Sequence, residues 1–320
     1  MLTSKNKIFW FNYVLLMVNI DSGNTLNKSS EKQLEKKYQK LWSDPKKIGR
    51  KDQNLALGWH FGYYEKGIKT HEEALINMNN YVKRLLNINN KNVNVLDVGC
   101  GVGSTVIHLA KQNPKSTFYG ITLAQNEIKF AQKLKTENNL KNTYFSLQSY
   151  SKTEFQDNFF DVIYALESFC YTDEFQNLLK EMSRILSPGG KIAIIDVFRT
   201  RDCTYPPIKK IRYKMLNEHN YDKPKSTIYS LENSLKQEGF ENIKIQNLSK
   251  NKNIRYFYLY AGLLYLLNRV LYQKFQERMT QKKHNSIILA GEFVNHFIAS
   301  ILILIHSKPS YYSITAVKKI

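Results

Sequence analysis

The sequence predicts a doubly wound α/β fold, a parallel sheet with helices on both faces, enlarged by an apolar helical cap. Three observations carry that expectation. The run V-L-D-V-G-C-G-V-G-S at 95–104 reads as a buried strand feeding a glycine turn and then a helix. Beyond it, apolar runs of strand length alternate with segments of helical period, the pattern left by right-handed crossovers between parallel strands. Two strongly apolar helical stretches, 254–275 and 286–305, then stand just before a last strand-like run.

Residues 1–53 read as an extension. Lys5 and Lys7 precede an apolar run over 8–20 that lacks a small-x-small cleavage site and is short for a bilayer span, so it is read as an amphipathic cap or interfacial helix in preference to a cleaved signal. A polar linker near 21–30 leads to helical periodicity over 31–42. Residues 54–249 form the core, with strands expected at 94–98, 117–121, 143–147, 160–166 and 191–198 and helices at 104–112, 125–138 and 172–186. Pro188-Gly189-Gly190 is expected to end the last of these helices and turn the chain into the fifth strand. A helix near 230–238, with Gly239 suited to its C-cap, and a strand near 243–248 follow. Within 250–309, Arg255, Asn268, Arg269, Glu292, Asn295 and His296 interrupt the apolar stretches and favour cap or interfacial helices over spans. Residues 310–320 return to the core as a closing strand, at 311–317.

Length allows one large domain with additions at 320 residues. Lysine and arginine number 47 against 27 acidic residues, a net charge of +20 that suits an anionic membrane surface, an anionic small substrate or nucleic acid. The charge is diffuse and no RNA-binding signature is present, so nucleic acid is set aside and peripheral membrane contact retained. Cys100, Cys170 and Cys203 are odd in number and form no C-x-x-C pair, which points to a reduced, cytoplasmic setting and to no metal site, while the apolar segments leave membrane association open.

The glycine turn is the chemical centre of the chain. Gly99, Gly101 and Gly103 can adopt positive φ and carry no Cβ, so a nucleoside or amino-acid group can lie against the main chain, and a helix starting near Ser104 aims its first amides there. A dinucleotide fingerprint has its third glycine three positions after the second, where Ser104 stands. With Asp97 at the strand end, the G-x-G-x-G spacing instead resembles motif I of class I S-adenosylmethionine (SAM)-dependent methyltransferases. From 54 to 197, and again at the last strand, the chain resembles their small-molecule type, the tocopherol, sterol and geranyl diphosphate C-methyltransferases. The resemblance implies a Rossmann-like seven-stranded methyltransferase sheet, SAM as cofactor and a small apolar acceptor.

It also implies roles for residues. G-I-T-L at 120–123 is similar to the second-strand end of that group, which puts Thr122 and Leu123 at the cofactor. Glu127 stands where a glutamine of the cyclopropane-forming relatives reaches the ribose hydroxyls, and a carboxylate can accept both; a solvated first-turn glutamate is the alternative. N-L-A-L-G-W-H-F-G-Y-Y-E at 54–65 resembles the element that covers the cofactor, so Trp59, His60, Tyr63 and Tyr64 would supply rings toward the sulfonium, unless the cluster is packing alone. Ser149 and Tyr150 end the third strand near the adenine, through backbone, since the family aspartate is missing; Leu166 ends the fourth strand. E-S-x-x-Y at 167–171 resembles that of geranyl diphosphate C-methyltransferase, and its glutamate also matches sterol C-methyltransferases. Glu167 is thus the expected catalytic carboxylate, with a helix cap as the alternative. His60 is a second candidate base, and Tyr171 with Tyr64 offers aromatic faces to a cationic acceptor.

Cyclopropanation is discounted because Cys170-Tyr171 replaces the glutamate-histidine pair of that group, and RNA amino-methylation because E-S-F-C stands where N-P-P-Y would be. Three functions remain in order: carbon methylation of an isoprenoid or lipid, O- or N-methylation of a natural product or quinone, and a membrane-surface interaction protein with a non-catalytic nucleoside pocket.

Overall fold

The computed structural model describes residues 35, 39, 58, 60–89, 91–169, 175–199, 227–248 and 309–320. The apolar run 8–20 and the stretches 254–275 and 286–305 lie outside them, as do Trp59, Cys170 and Tyr171. In chain order the elements are α1 His71–Leu86, β1 Asn94–Val98, α2 Ser104–Gln112, β2 Thr117–Thr122, α3 Gln125–Glu137, β3 Thr143–Leu147, β4 Phe160–Leu166, α4 Phe175–Ile185, β5 Leu186–Arg199, α5 Ile228–Gln237, β6 Phe240–Asn247 and β7 Pro309–Lys318. They build a seven-stranded sheet of order β3-β2-β1-β4-β5-β7-β6, in which β1 to β5 pair in parallel and β7 runs antiparallel to both neighbours. This is the fold class expected from the sequence.

Alternation along the central strands divides the core between two faces. Leu96, Val98, Ile163, Ala165, Ile192 and Ile194 pack beneath α4 and α5, against Leu178, Met182, Leu231 and Leu235. Val95, Val162, Tyr164, Ala193, Ile195 and Val197 face α1 and α2, against Met78, Val82, Val106 and Leu109.

Helix α1 was not anticipated, although its start is written in the chain. Thr70 Oγ1 accepts the Glu73 amide at 3.1 Å while Glu73 Oε2 accepts the Thr70 amide at 3.0 Å, a reciprocal capping box. Asn87 ends the helix in the left-handed region at φ +53°, its amide on Lys83 O. Gly239 follows α5 at φ +81°, as its position suggested.

The turn expected at Pro188-Gly189-Gly190 is a bulge instead. β5 begins at Leu186, directly after α4, and Leu186 pairs with Phe160 while Lys191 pairs with Val162. The extra residues loop out of the ladder because proline has no amide to give it and Gly189 sits at φ +75°. The strand expected at 243–248 likewise starts earlier, at Phe240.

Candidate functional site

The sheet order reverses between β1 and β4, and the crevice beyond the carboxyl ends of these strands is where open α/β sheets bind ligands. The glycine loop after β1 occupies that point. All three glycines have positive φ, +85° at Gly99, +52° at Gly101 and +78° at Gly103, but the reasons differ. A Cβ on Gly99 would lie 2.5 Å from Ser168 Cβ, and one on Gly103 2.7 Å from the Phe145 ring and 2.8 Å from Ala131 Cβ. Those two are glycines for packing. A Cβ on Gly101 would meet only Glu127 Oε1, 4.0 Å away, so this glycine alone of the three opens onto space. The amides of Gly99 and Cys100 both donate to Ile121 O, at 3.0 and 2.9 Å, and hold the loop to β2 rather than reaching for a ligand.

The loop therefore yields a stability prediction. Gly103→Ala places a methyl group inside van der Waals contact with Phe145 and Ala131 at a left-handed backbone, and should destabilise the fold by about 2–4 kcal/mol, read as a lower denaturant midpoint at unchanged m.

Around the opening stand three buried polar side chains, Asp97, Thr122 and Glu127. Asp97 shares the α1–α2 face with Val95, is 3% exposed, and its Oδ1 has no hydrogen-bond partner among the described residues. Burial pushes its carboxyl up to about 7; the nearby Tyr164 hydroxyl favours the charged form but does not complete a hydrogen bond. Glu127 is 4% exposed, which removes the solvated first-turn alternative, and its Oε2 accepts the Thr122 hydroxyl in a short bond. Burial also drives the Cys100 thiol well above its ordinary pKa, leaving it protonated. Among the described residues no group of three His, Cys, Asp or Glu is placed to hold a metal ion.

The Asp97 pKa has a consequence for stability. A carboxyl whose folded pKa lies above its unfolded value binds more protons when folded, so the ligand-free protein should lose stability as pH rises from about 4 through 7. Asp97→Asn should flatten that slope, gaining stability relative to wild type at pH of about 8 compared with about 5 in paired thermal melts. A steeper slope in the variant would contradict the assignment.

On the other wall, Glu167 follows β4 with its backbone in the left-handed region at φ +54°, rare for a non-glycine residue. Its amide donates to Ile195 O at 2.8 Å. Its Oε1 accepts the Phe61 amide at 2.9 Å and the Tyr311 hydroxyl at 2.7 Å. Ser168, next in the chain, gives its hydroxyl to Val98 O and fills the space left by Gly99, so Glu167 is tied to the glycine loop.

His60 Nδ1 accepts the Gly62 amide at 3.2 Å, which assigns the ring proton to Nε2; that nitrogen meets Asn79 Oδ1 at 3.2 Å, an oxygen also taken by the Thr105 hydroxyl at 2.9 Å. The imidazole thus joins the segment before α1 to α1 and α2. Tyr64 turns its hydroxyl to His71 Nδ1 at 2.7 Å and packs with Ala74, Phe61 and Ile68, while Tyr63 packs on Tyr81 with ring centroids 4.8 Å apart. Ser149 Oγ bonds within its own turn, to the Ser151 hydroxyl and amide at 2.7 and 3.1 Å; Tyr150 packs on the α4–α5 core and Leu166 on the α1–α2 core. Leu123 is half-buried beside Thr122.

Asn79, Thr105, Ser168 and Tyr311 escaped the sequence reading. Asn79 had a signal, a lone amide on the apolar stripe of Leu75, Met78 and Val82. Ser168 stood within E-S-x-x-Y, but its partner Gly99 lies 69 residues away, and nothing in the chain pairs Tyr311 with a glutamate 144 positions earlier.

The family model described as "Methyltransferase domain" matches residues 89–252, just over half of the chain. The chain belongs to that family. A sterol 4-C-methyltransferase from Caenorhabditis elegans is 32% identical over 151 residues, covering 47% of this chain and 44% of its own. Among solved structures, the [4+2]-cyclase SpnF superposes with a TM-score of 0.63 at 20% identity, covering 93% of this chain and 99% of that one. Geranyl diphosphate C-methyltransferase from Streptomyces coelicolor, in complex with Mg2+, geranyl diphosphate and S-adenosyl-L-homocysteine, gives 0.60 at 14% identity, covering 92% and 100%. The chain spans about half the length of the first curated relatives it matches. A methyltransferase domain therefore sits on a fold that a cyclase also uses, and the reaction has to be argued from the site.

Proposed function

We propose that the protein is a SAM-dependent methyltransferase acting on carbon of a small apolar acceptor, an isoprenoid or a lipid. The observation that carries this reading is the placement of Glu167. It is a carboxylate at the end of β4, held at a strained backbone and locked through Ser168 to the glycine loop. Relatives whose names give carbon methylation of sterols and geranyl diphosphate support it.

When bound, SAM supplies a methyl group on a sulfonium, which needs no acid at its leaving group. Asp97 is assigned to the ammonium of its amino-acid end, because the buried Oδ1, without a partner among the described residues, gains one there. Gly101 gives the room, and Glu127 with Thr122 is assigned to the ribose hydroxyls. Leu123, the backbone at Ser149 and Tyr150, and Leu166 are assigned to flank the nucleoside. Gly99 and Gly103 shape the loop. His60 holds the covering segment in place, with Trp59 and Tyr64 as its rings.

An alkene acceptor forms the new carbon–carbon bond from its π pair while the sulfur keeps the pair of the breaking bond. Positive charge then rests on the neighbouring acceptor carbon. Glu167 stabilises it and takes the proton whose loss restores the double bond, with Tyr171 as an aromatic face. His60 is less suited to that proton, since the Gly62 amide engages Nδ1.

The test is transfer of labelled methyl from SAM to four acceptor pools: isoprenoid diphosphates, sterols, phenols and amines. Label in the first two supports the reading. Label confined to phenols or amines turns the enzyme into an O- or N-methyltransferase, and binding of SAM without transfer to any pool favours a non-catalytic nucleoside pocket.

A further inference from the structure

We propose that Tyr311 is a positioning residue for Glu167, and that the pair latches the segment around Phe61 over the site; the proposal rests on the reading of Glu167 given above. Two donors from distant parts of the chain converge on one carboxylate oxygen. One is the Phe61 amide, from the segment before α1, and the other is the Tyr311 hydroxyl, from the antiparallel strand β7. Tyr311 is itself fixed. It is fully buried, pairs with Val197 on β5, and accepts the Leu248 amide on its carbonyl at 2.7 Å. Its ring meets the Phe61 ring edge-on, with centroids 6.1 Å apart and planes at 82°. A hydrogen bond to a charged acceptor is stronger than a neutral one, so the hydroxyl is well suited to orient the Glu167 carboxylate.

The arrangement makes one joint of two functions. The carboxylate that faces the acceptor side is also the anchor of the covering segment, and the last strand of the sheet sets both. The left-handed backbone at Glu167 fits this account, because such strain persists only where surrounding contacts over-determine it.

Hydrogen–deuterium exchange over 60–67 tests the joint without any acceptor, using S-adenosylhomocysteine as the bound probe. Tyr311→Phe keeps the ring packing and removes only the hydroxyl. It should speed exchange in that segment by about tenfold and raise the dissociation rate of the probe. Tyr81→Phe is the control: Tyr81 gives β7 a different buried hydroxyl contact, to Ser313 at 2.7 Å, and its loss should leave exchange over 60–67 unchanged. Glu167→Gln keeps an oxygen that both donors can reach, so it should retain most of the protection while losing turnover. The outcomes separate the two claims. Exchange in Tyr311→Phe equal to wild type, or matched by Tyr81→Phe, overturns the joint; turnover retained in Glu167→Gln overturns the catalytic reading and leaves the joint standing. If Tyr311→Phe does not fold, Glu167→Ala read against Glu167→Gln answers the same question, and equal protection in those two overturns the joint.

Discussion

Gly101→Val is expected to abolish binding of SAM and S-adenosylhomocysteine while the protein stays folded. The side chain would enter the one glycine position of the loop whose missing Cβ faces open space, beside Glu127. Filling a site that backbone is meant to line removes the contact and adds a clash, and a loss on the order of a hundredfold or more in affinity follows. The backbone at φ +52° is unfavourable for a β-branched residue, so Gly101→Val will also cost stability of about 1–2 kcal/mol. Gly101→Asn separates the two effects, because asparagine tolerates the left-handed region. Both variants should fail to bind in calorimetry, and the asparagine variant should melt close to wild type. Undiminished affinity in either one removes Gly101 from the cofactor site.

Glu167→Gln should lower single-turnover methyl transfer on the order of a hundredfold or more, within the range for groups that act in the transition state. Glutamine keeps the shape and an acceptor oxygen for Phe61 and Tyr311, but carries no charge and cannot take a proton. Affinity for SAM should change far less, since glutamine keeps the anchor of the covering segment and the groups assigned to the cofactor's polar atoms, Asp97, Thr122 and Glu127, lie on β1, β2 and α3. A fall in rate without a fall in affinity marks an interaction made only in the transition state. Near wild-type turnover would leave Glu167 a structural anchor and return His60 to consideration as base.

The sequence and the structure agree most closely where short-range pattern decides. The strand, glycine turn and helix at 94–112 were legible because burial, turn chemistry and helix start all fall within twenty residues. Glu127 was legible as a position but not as a buried one, since only the fold brings Thr122 and Gly101 to its two sides. What each glycine of the loop does was not legible at all: Gly99 answers to Ser168 and Gly103 to Phe145, partners set by the packing of β4 and β3. Helix α1 was missed for the opposite reason. Its capping box at Thr70 and Glu73 is a clear local signal, standing directly after an aromatic, glycine-rich run that carries no helical period of its own. The Pro188–Gly190 run shows turn residues serving within a strand, which propensity alone does not distinguish from a turn between elements.

The most direct measurement is the fate of a carbon-13 methyl group carried on SAM, followed by NMR after a single turnover with the isoprenoid or sterol acceptor that takes up label. A methyl resonance bonded to carbon in an apolar product, lost in Glu167→Gln, is the result this account predicts. A methyl group on oxygen or nitrogen, or transfer to carbon that Glu167→Gln leaves intact, would contradict it.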